Sequence, residues 1–328
     1  MSYLVAGGCF YWIFHDIGWR QLLRSTEHLV SWRLLPVIAL DILSYLLVAL
    51  EWQLLLRPVG IFRFRDATRA VFAGRFANDV LPVQLGYLVR VFLASRCLQK
   101  PFSVVVPSLL IERFLDGWWL GIGILALTFY LPLPSLIIRG RNILGGVLLL
   151  GLVLLIFLSL REAKTVQEPS QDAGEHGNFL RGFRRFWIRI IDGVRTIARS
   201  HLLPAVIGLS ALKLLVQGLA YYGVLWAYGL EISVWTGLAI FLVAYLGITV
   251  PSTPASAGVF QFFSVIGLEL FGIEKTTATG VSLVAFVVLT APLAAAGFYA
   301  VATSGLKWRE LREEVVRLKE SLKGRAEI

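Results

Sequence analysis

Residues 232–268 read ISVWTGLAIFLVAYLGITVPSTPASAGVFQFFSVIGL, 37 positions without one Asp, Glu, Lys, Arg or His. Crossing a hydrocarbon core of about 30 Å takes roughly 20 apolar residues, so this run belongs in a membrane. It is also interrupted, because Pro251-Ser252-Thr253-Pro254-Ala255-Ser256-Ala257-Gly258 cannot continue a helix. Non-helical backbone at that depth survives only where protein buries it or where it lines a cavity. The interruption is therefore a candidate working part.

Working outward, Thr276–Leu306 adds 31 more residues without a charge. Further spans are predicted at 34–56, 104–133, 143–160 and 202–230, the last with one charge, Lys213. A short first span ends near His15-Asp16; about a dozen apolar residues rise only about 18 Å as a helix. The start, Met1-Ser2-Tyr3, lacks the basic region of a secretory signal. The sequence thus predicts an all-α polytopic membrane protein of about eight transmembrane helices with two Pro/Gly-broken or re-entrant elements. The count falls to seven if the segment after the break re-enters and returns.

Composition agrees. Hydrophobic residues make up 57% of the chain and charged ones 16%, with a mean hydropathy of +0.74, outside the range of a soluble domain. The formal charge of +10 lies beside apolar runs, where it meets anionic headgroups rather than nucleic acid. Residues 57–100 carry eight Lys/Arg against two Asp, 161–199 carry eight against five acids, and the tail from Lys307 carries seven. The positive-inside rule puts all three in the cytoplasm, which eight crossings with both termini cytoplasmic satisfy. Against this, Arg20, Arg24, Arg33, Arg139 and Arg141 then face outward. The expected division is a single transmembrane domain over 1–328: an N-terminal half 1–160, a cytoplasmic connection 161–201, a C-terminal half 202–306 and an amphipathic tail 307–328.

Residues 61–77 set Arg65 and Arg69 four apart among aromatics, a pattern predicting an interfacial helix. The tail repeats Leu311, Val315, Leu318 and Leu322 at helical spacing, and the polar stretch 164–178 reads as a disordered divider. Cys9 and Cys97 make no disulfide framework and four scattered histidines make no metal site. No cofactor is expected, and no phosphate-cradling loop or nucleotide-sized loop argues for an enzyme.

A second interruption mirrors the first. In Asn78-Asp79-Val80-Leu81-Pro82-Val83-Gln84-Leu85-Gly86, proline removes a helix hydrogen bond and disfavours helix in the residue before it. The break belongs at Leu81-Pro82, capped by Asn78 or Asp79. Pro82 and Gly86 are four apart, as are Pro254 and Gly258. Matching Pro/Gly interruptions in two halves point to a transporter site on broken helices; two unrelated kinks are the plainer alternative. The other constellation is Glu112-Arg113-Phe114-Leu115-Asp116 inside a span. Charges there avoid lipid, so they either pin helices together or line an internal polar site for a headgroup. Arg90 is the cation suited to a lipid phosphate, or else an arginine snorkelling at a helix end. Asp41 and Lys213 read as single structural charges.

The string NDVLPVQLGYLVR, residues 78–90, resembles the Asn–Leu-Pro–Gly–Arg signature of the lysylphosphatidylglycerol synthase transmembrane-region family. Glu112-Arg113 with Asp116 resembles its Glu-Arg–Asp motif, and 251–261 its Pro–Pro-Gly-Gly–Gly–Glu stretch. That domain is the flippase-like half of the bacterial multiple peptide resistance factor and also occurs alone. The resemblance implies a site of Asn78, Asp79, Pro82, Gly86, Arg90, Glu112, Arg113, Asp116, Pro254, Gly258 and Gln261. It implies lipid or lipid-linked cargo, a cell-membrane location, anionic membrane lipids as partners and no aminoacyl-transfer activity. Gln84, Tyr87 and Gln261 stand where Arg, Glu and Glu are usual, and Ala255 and Ser256 replace paired glycines, so acidic partners for a cationic headgroup are missing. A scaffold for a lipid-modifying or glycosyl-transferring enzyme is the competing reading; an integral-membrane transferase ranks behind both.

Overall fold

The computed structural model describes residues 2–15, 29–81, 84–130, 145–151, 153, 190–249 and 254–304. Within them the protein is built from helices: α1 (Ser2–Phe14), α2 (Leu34–Leu56), α3 (Phe64–Val80), α4 (Gly86–Leu98), α5 (Phe102–Tyr130), α6 (Leu203–Ala227), α7 (Val234–Thr249), α8 (Val259–Leu270) and α9 (Lys275–Thr303). Short helical stretches also occur at 145–151 and 190–198. Among the described residues, 31–56, 203–227 and 275–303 are long and apolar enough to cross a membrane. Helix α5 is equally long at 29 residues but carries Glu112, Arg113 and Asp116. The amphipathic tail, the divider at 164–178, Pro82 and most of the 143–160 span lie outside the described residues.

Each half follows the same order: a long helix, two shorter helices around a break, and another long helix. The first break sits where expected. Leu81 is extended at φ −97°, ψ 140°, the conformation the following proline enforces. The second passes through Ala255 and Ser256 with positive φ and reaches α8 at Gly258, φ 87°, a backbone glycine tolerates without strain.

The chain reverses at both breaks. Gly74 lies against Gly86 and Arg90, and Gly60 against Leu98, a descending register that makes α3 and α4 an antiparallel hairpin. Gly247 lies against Val259 and Phe263, and Gly267 against Ile240 and Val243, so α7 and α8 make a second. This changes the reading of 61–77. Instead of lying on the membrane surface, α3 buries Ala67, Ala70, Val71, Ala73, Gly74 and Ala77 and packs against α4 and α9. Small side chains every few residues let backbones approach; Arg65 stays exposed on the other face, whereas Arg75 turns inward and is partly buried.

Two apolar cores are stacked along the bundle. One gathers Val48–Leu56 of α2, the first hairpin, Val105–Leu115 of α5, Val206 of α6, and Leu293 and Ala300 of α9. The other gathers Val37 of α2, Leu120 of α5, Tyr221–Tyr228, the second hairpin, and Ala278–Ala285 of α9. Each long helix thus passes through both cores, and each core holds one hairpin. The hairpins enter from opposite ends. Their tips touch, since Gln84 Nε2 donates to the Ile248 carbonyl at 3.1 Å and the 254–256 turn packs on α3.

Candidate functional site

The level between the two cores is polar. Asp41 and Tyr45 fall there on α2, Glu112, Arg113 and Asp116 on α5, Lys213 and Gln217 on α6, and Thr290 on α9; with Arg75, Asn78, Tyr87 and Arg90 of the first hairpin they line a cavity of about 150 Å³. At about 10–15 Å³ per water, that accommodates on the order of ten waters or one small polar headgroup.

Beside Asp41 and Arg75, six charges alternate in one network at this cavity, five of them lining it and the sixth, Glu51, outside the lining. Arg90 grips Glu112 bidentately, Nη1 to Oε1 at 3.0 Å and Nη2 to Oε2 at 2.8 Å. Arg113 reaches Glu112 at 3.2 Å and Asp116 at 3.4 Å. Lys213 Nζ lies 2.5 Å from Asp116 and 2.6 Å from Glu51. Three cations therefore match three carboxylates, the arrangement a low-dielectric interior demands. Aromatic faces support the cations: Arg90 sits 4.4 Å over Trp52 and Arg113 4.5 Å over Tyr87. Trp52 Nε1 is itself held by Ser108 Oγ at 2.9 Å.

Arg90 differs from its sequence reading. It is 4% exposed and so does not snorkel, and both of its Nη groups bind Glu112 while Nε stays buried without a partner. The accessible cation is its neighbour: the Arg113 side chain is 45% exposed while Glu112 and Asp116 below it are buried. Lys213 is no isolated structural charge either; it joins α6 to α2 and α5.

The remaining sequence-derived residues divide by role. Asn78 Oδ1 accepts the Gly86 N–H at 2.7 Å, and Gln261 Oε1 accepts the Gly258 N–H at 2.6 Å. The same device caps both re-entering helices. Gly86 is there for contact: a Cβ would stand 1.9 Å from the Gly74 carbonyl oxygen. Asp79 faces Arg75 at 3.3 Å, and Pro254 opens the turn at the second tip. Asn78, Arg90, Glu112, Arg113 and Asp116 come together at the cavity, whereas Asp79, Pro254, Gly258 and Gln261 are outside its lining. Sequence reading passed over Glu51 and Arg75. A glutamate inside the 34–56 span carried the same signal as Glu112; nothing local to the sequence showed its partner, 162 positions away.

Two re-entrant hairpins meeting tip to tip around a charged, partly open cavity define a polytopic membrane protein with an internal polar site. Comparison with known proteins gives the family: residues 1–297 match the Lysylphosphatidylglycerol synthase TM region, and the chain belongs to that family. It is also similar to the UPF0104 membrane protein MJ1078 of Methanocaldococcus jannaschii, 25% identical over 213 residues that cover 63% of this chain and 84% of that protein.

Proposed function

We propose that the protein is flippase-like and passes the headgroup of a lipid or lipid-linked amphiphile through the cavity between the hairpin tips, without covalent chemistry of its own. The observation that carries this reading is the half-exposed Arg113 at a cavity in the level between two apolar cores. A guanidinium there can exchange carboxylate contacts for a phosphate without leaving a bare charge. Anionic membrane lipids are the partners this cation selects.

The orientation that fits is cytoplasmic for both termini and for 161–201, in the cell membrane. Because α7 and α8 return to the side they enter from, the eight crossings expected lose two. The six left (1–14, α2, α5, 143–160, α6 and α9) keep both termini on one side. The first hairpin then enters beside Arg57, Arg63 and Lys100 on the cytoplasmic side. The second enters beside Glu231 and Glu274 from outside. Arg33, on the outer side, is anchored by donating to the Trp226 carbonyl at 3.1 Å and stacking 4.3 Å over that indole.

A scaffold for a lipid-modifying enzyme is the second reading, favoured by the mutual pairing of the six charges. Reconstitution separates the two. Vesicles of phosphatidylcholine with a trace of phosphatidylglycerol bearing a fluorescent acyl chain are quenched from outside by dithionite. Transport predicts bleaching beyond the outer-leaflet half, slowed about ten-fold or more in Arg113→Gln, the loss of one charge-assisted contact. Equal behaviour of protein-containing and empty vesicles favours the scaffold.

A further inference from the structure

The charges at one corner of the cavity do not balance. Among the described residues, Asp41 on α2, which lines the cavity, and Asp79 on α3, outside its lining, have one cation near them, Arg75. It faces Asp79 at 3.3 Å in a geometry that forms no hydrogen bond. Asp41 is 6% exposed, lines the cavity, and keeps Oδ2 buried without a hydrogen-bond partner. Gln217 Oε1 is also buried and unpartnered, and Gln217 lines the same cavity from α6, the helix packed along α2. The corner therefore presents acceptors in want of a donor or cation, with one negative charge in excess.

Among the described residues, no other cation lining the cavity is free to supply it. Lys213 on α6 is committed to Glu51 and Asp116, Arg90 on α4 to Glu112, and Arg113 on α5 to Glu112 and Asp116. The remaining ionisable lining is phenolic, Tyr45 of α2, Tyr87 of α4, Tyr221 of α6 and Tyr245 of α7, and α9 adds only Thr290 as a polar group. An uncompensated carboxylate in such an interior is strongly disfavoured.

We propose that Asp41, with Gln217, binds one monovalent cation from the cavity, either a proton or a sodium ion. A single excess charge matches a monovalent ion, and carboxylate with amide carbonyl suits both sources. A proton on Asp41 would donate to Gln217 Oε1; sodium would take both oxygens as ligands. The site stands on the cavity and its charge count, whatever the cavity carries, so a negative lipid assay leaves it open to its own test.

The test is thermal unfolding of the purified full-length protein in detergent. In one series sodium replaces choline at constant ionic strength and fixed pH; in the other pH is lowered through neutrality without sodium. A cation that binds only the folded state raises Tm with its concentration. A rise with sodium identifies sodium, and a rise with falling pH in its absence identifies the proton. Asp41→Asn should abolish the response and leave Tm at or above that of cation-free wild type, because it removes the uncompensated charge. Gln217→Leu should need about ten-fold more cation for the same rise. The site is refuted by a wild type indifferent to both cations, or by a full response retained in Asp41→Asn. A drop in Tm for Asp41→Asn as large as that of Glu112→Gln, or failure of Asp41→Asn to fold, also refutes it.

Discussion

At the scale of single residues, the Arg90–Glu112 pair sets what a substitution can mean. Both groups are buried and joined by two hydrogen bonds, so removing Glu112 strands Arg90 in a low-dielectric setting, whereas removing Arg90 leaves Glu112 its contact with Arg113 at 3.2 Å. Glu112→Gln should destabilise by about 3–5 kcal/mol and Arg90→Gln by less, whereas the apolar pair Arg90→Met with Glu112→Leu should recover most of the Glu112→Gln loss. A double-mutant cycle on detergent melting measures it, and additive single effects would show that the two do not act as a pair. Arg113→Gln should melt close to wild type: its side chain is half-exposed, and Glu112 and Asp116 keep Arg90 and Lys213. Glu112, Arg113 and Asp116 were legible in the sequence because charge inside an apolar run has one explanation, an interior that needs it. Their partners were not, since the contacts joining α2, α4, α5 and α6 span 22 to 162 positions. That is why Arg90 read as a lone cation.

At the scale of elements, the breaks were legible because proline acts on its own neighbours, and Leu81 takes the extended geometry that rule requires. The reversal of the chain at each break was not. Arg65 and Arg69 made α3 resemble a surface helix, and only its contacts with α4 and α9 reveal a hairpin arm. The hairpin depends on close backbone approach. Gly86→Ala would press its Cβ onto the Gly74 carbonyl and should abolish a monodisperse, well-expressed product. Gly208→Ala on α6, with nothing within 4 Å of its new Cβ, should express normally and gain slightly from helix propensity. Size-exclusion profiles of the two variants decide it; a normal Gly86→Ala profile would mean that the hairpin arms stand farther apart.

For the whole molecule, the stacked cores and the polar level between them follow from two hairpins entering from opposite ends. With Cys9 and Cys97 replaced by serine, a single cysteine at Ser170 should resist an impermeant maleimide in intact cells, and one at Ser233 should react. The opposite pattern would invert the orientation but leave the fold intact.

The central claim is that the hairpin tips form the passage. Gln84 and Ile248 meet there by a 3.1 Å hydrogen bond, so Gln84→Cys with Ile248→Cys, in the cysteine-free background, can be joined by a short bismaleimide with a cleavable linker. In reconstituted vesicles the account predicts that movement of the fluorescent phosphatidylglycerol stops in the joined protein and returns once the linker is cut. Movement at an unchanged rate in fully joined protein would contradict it.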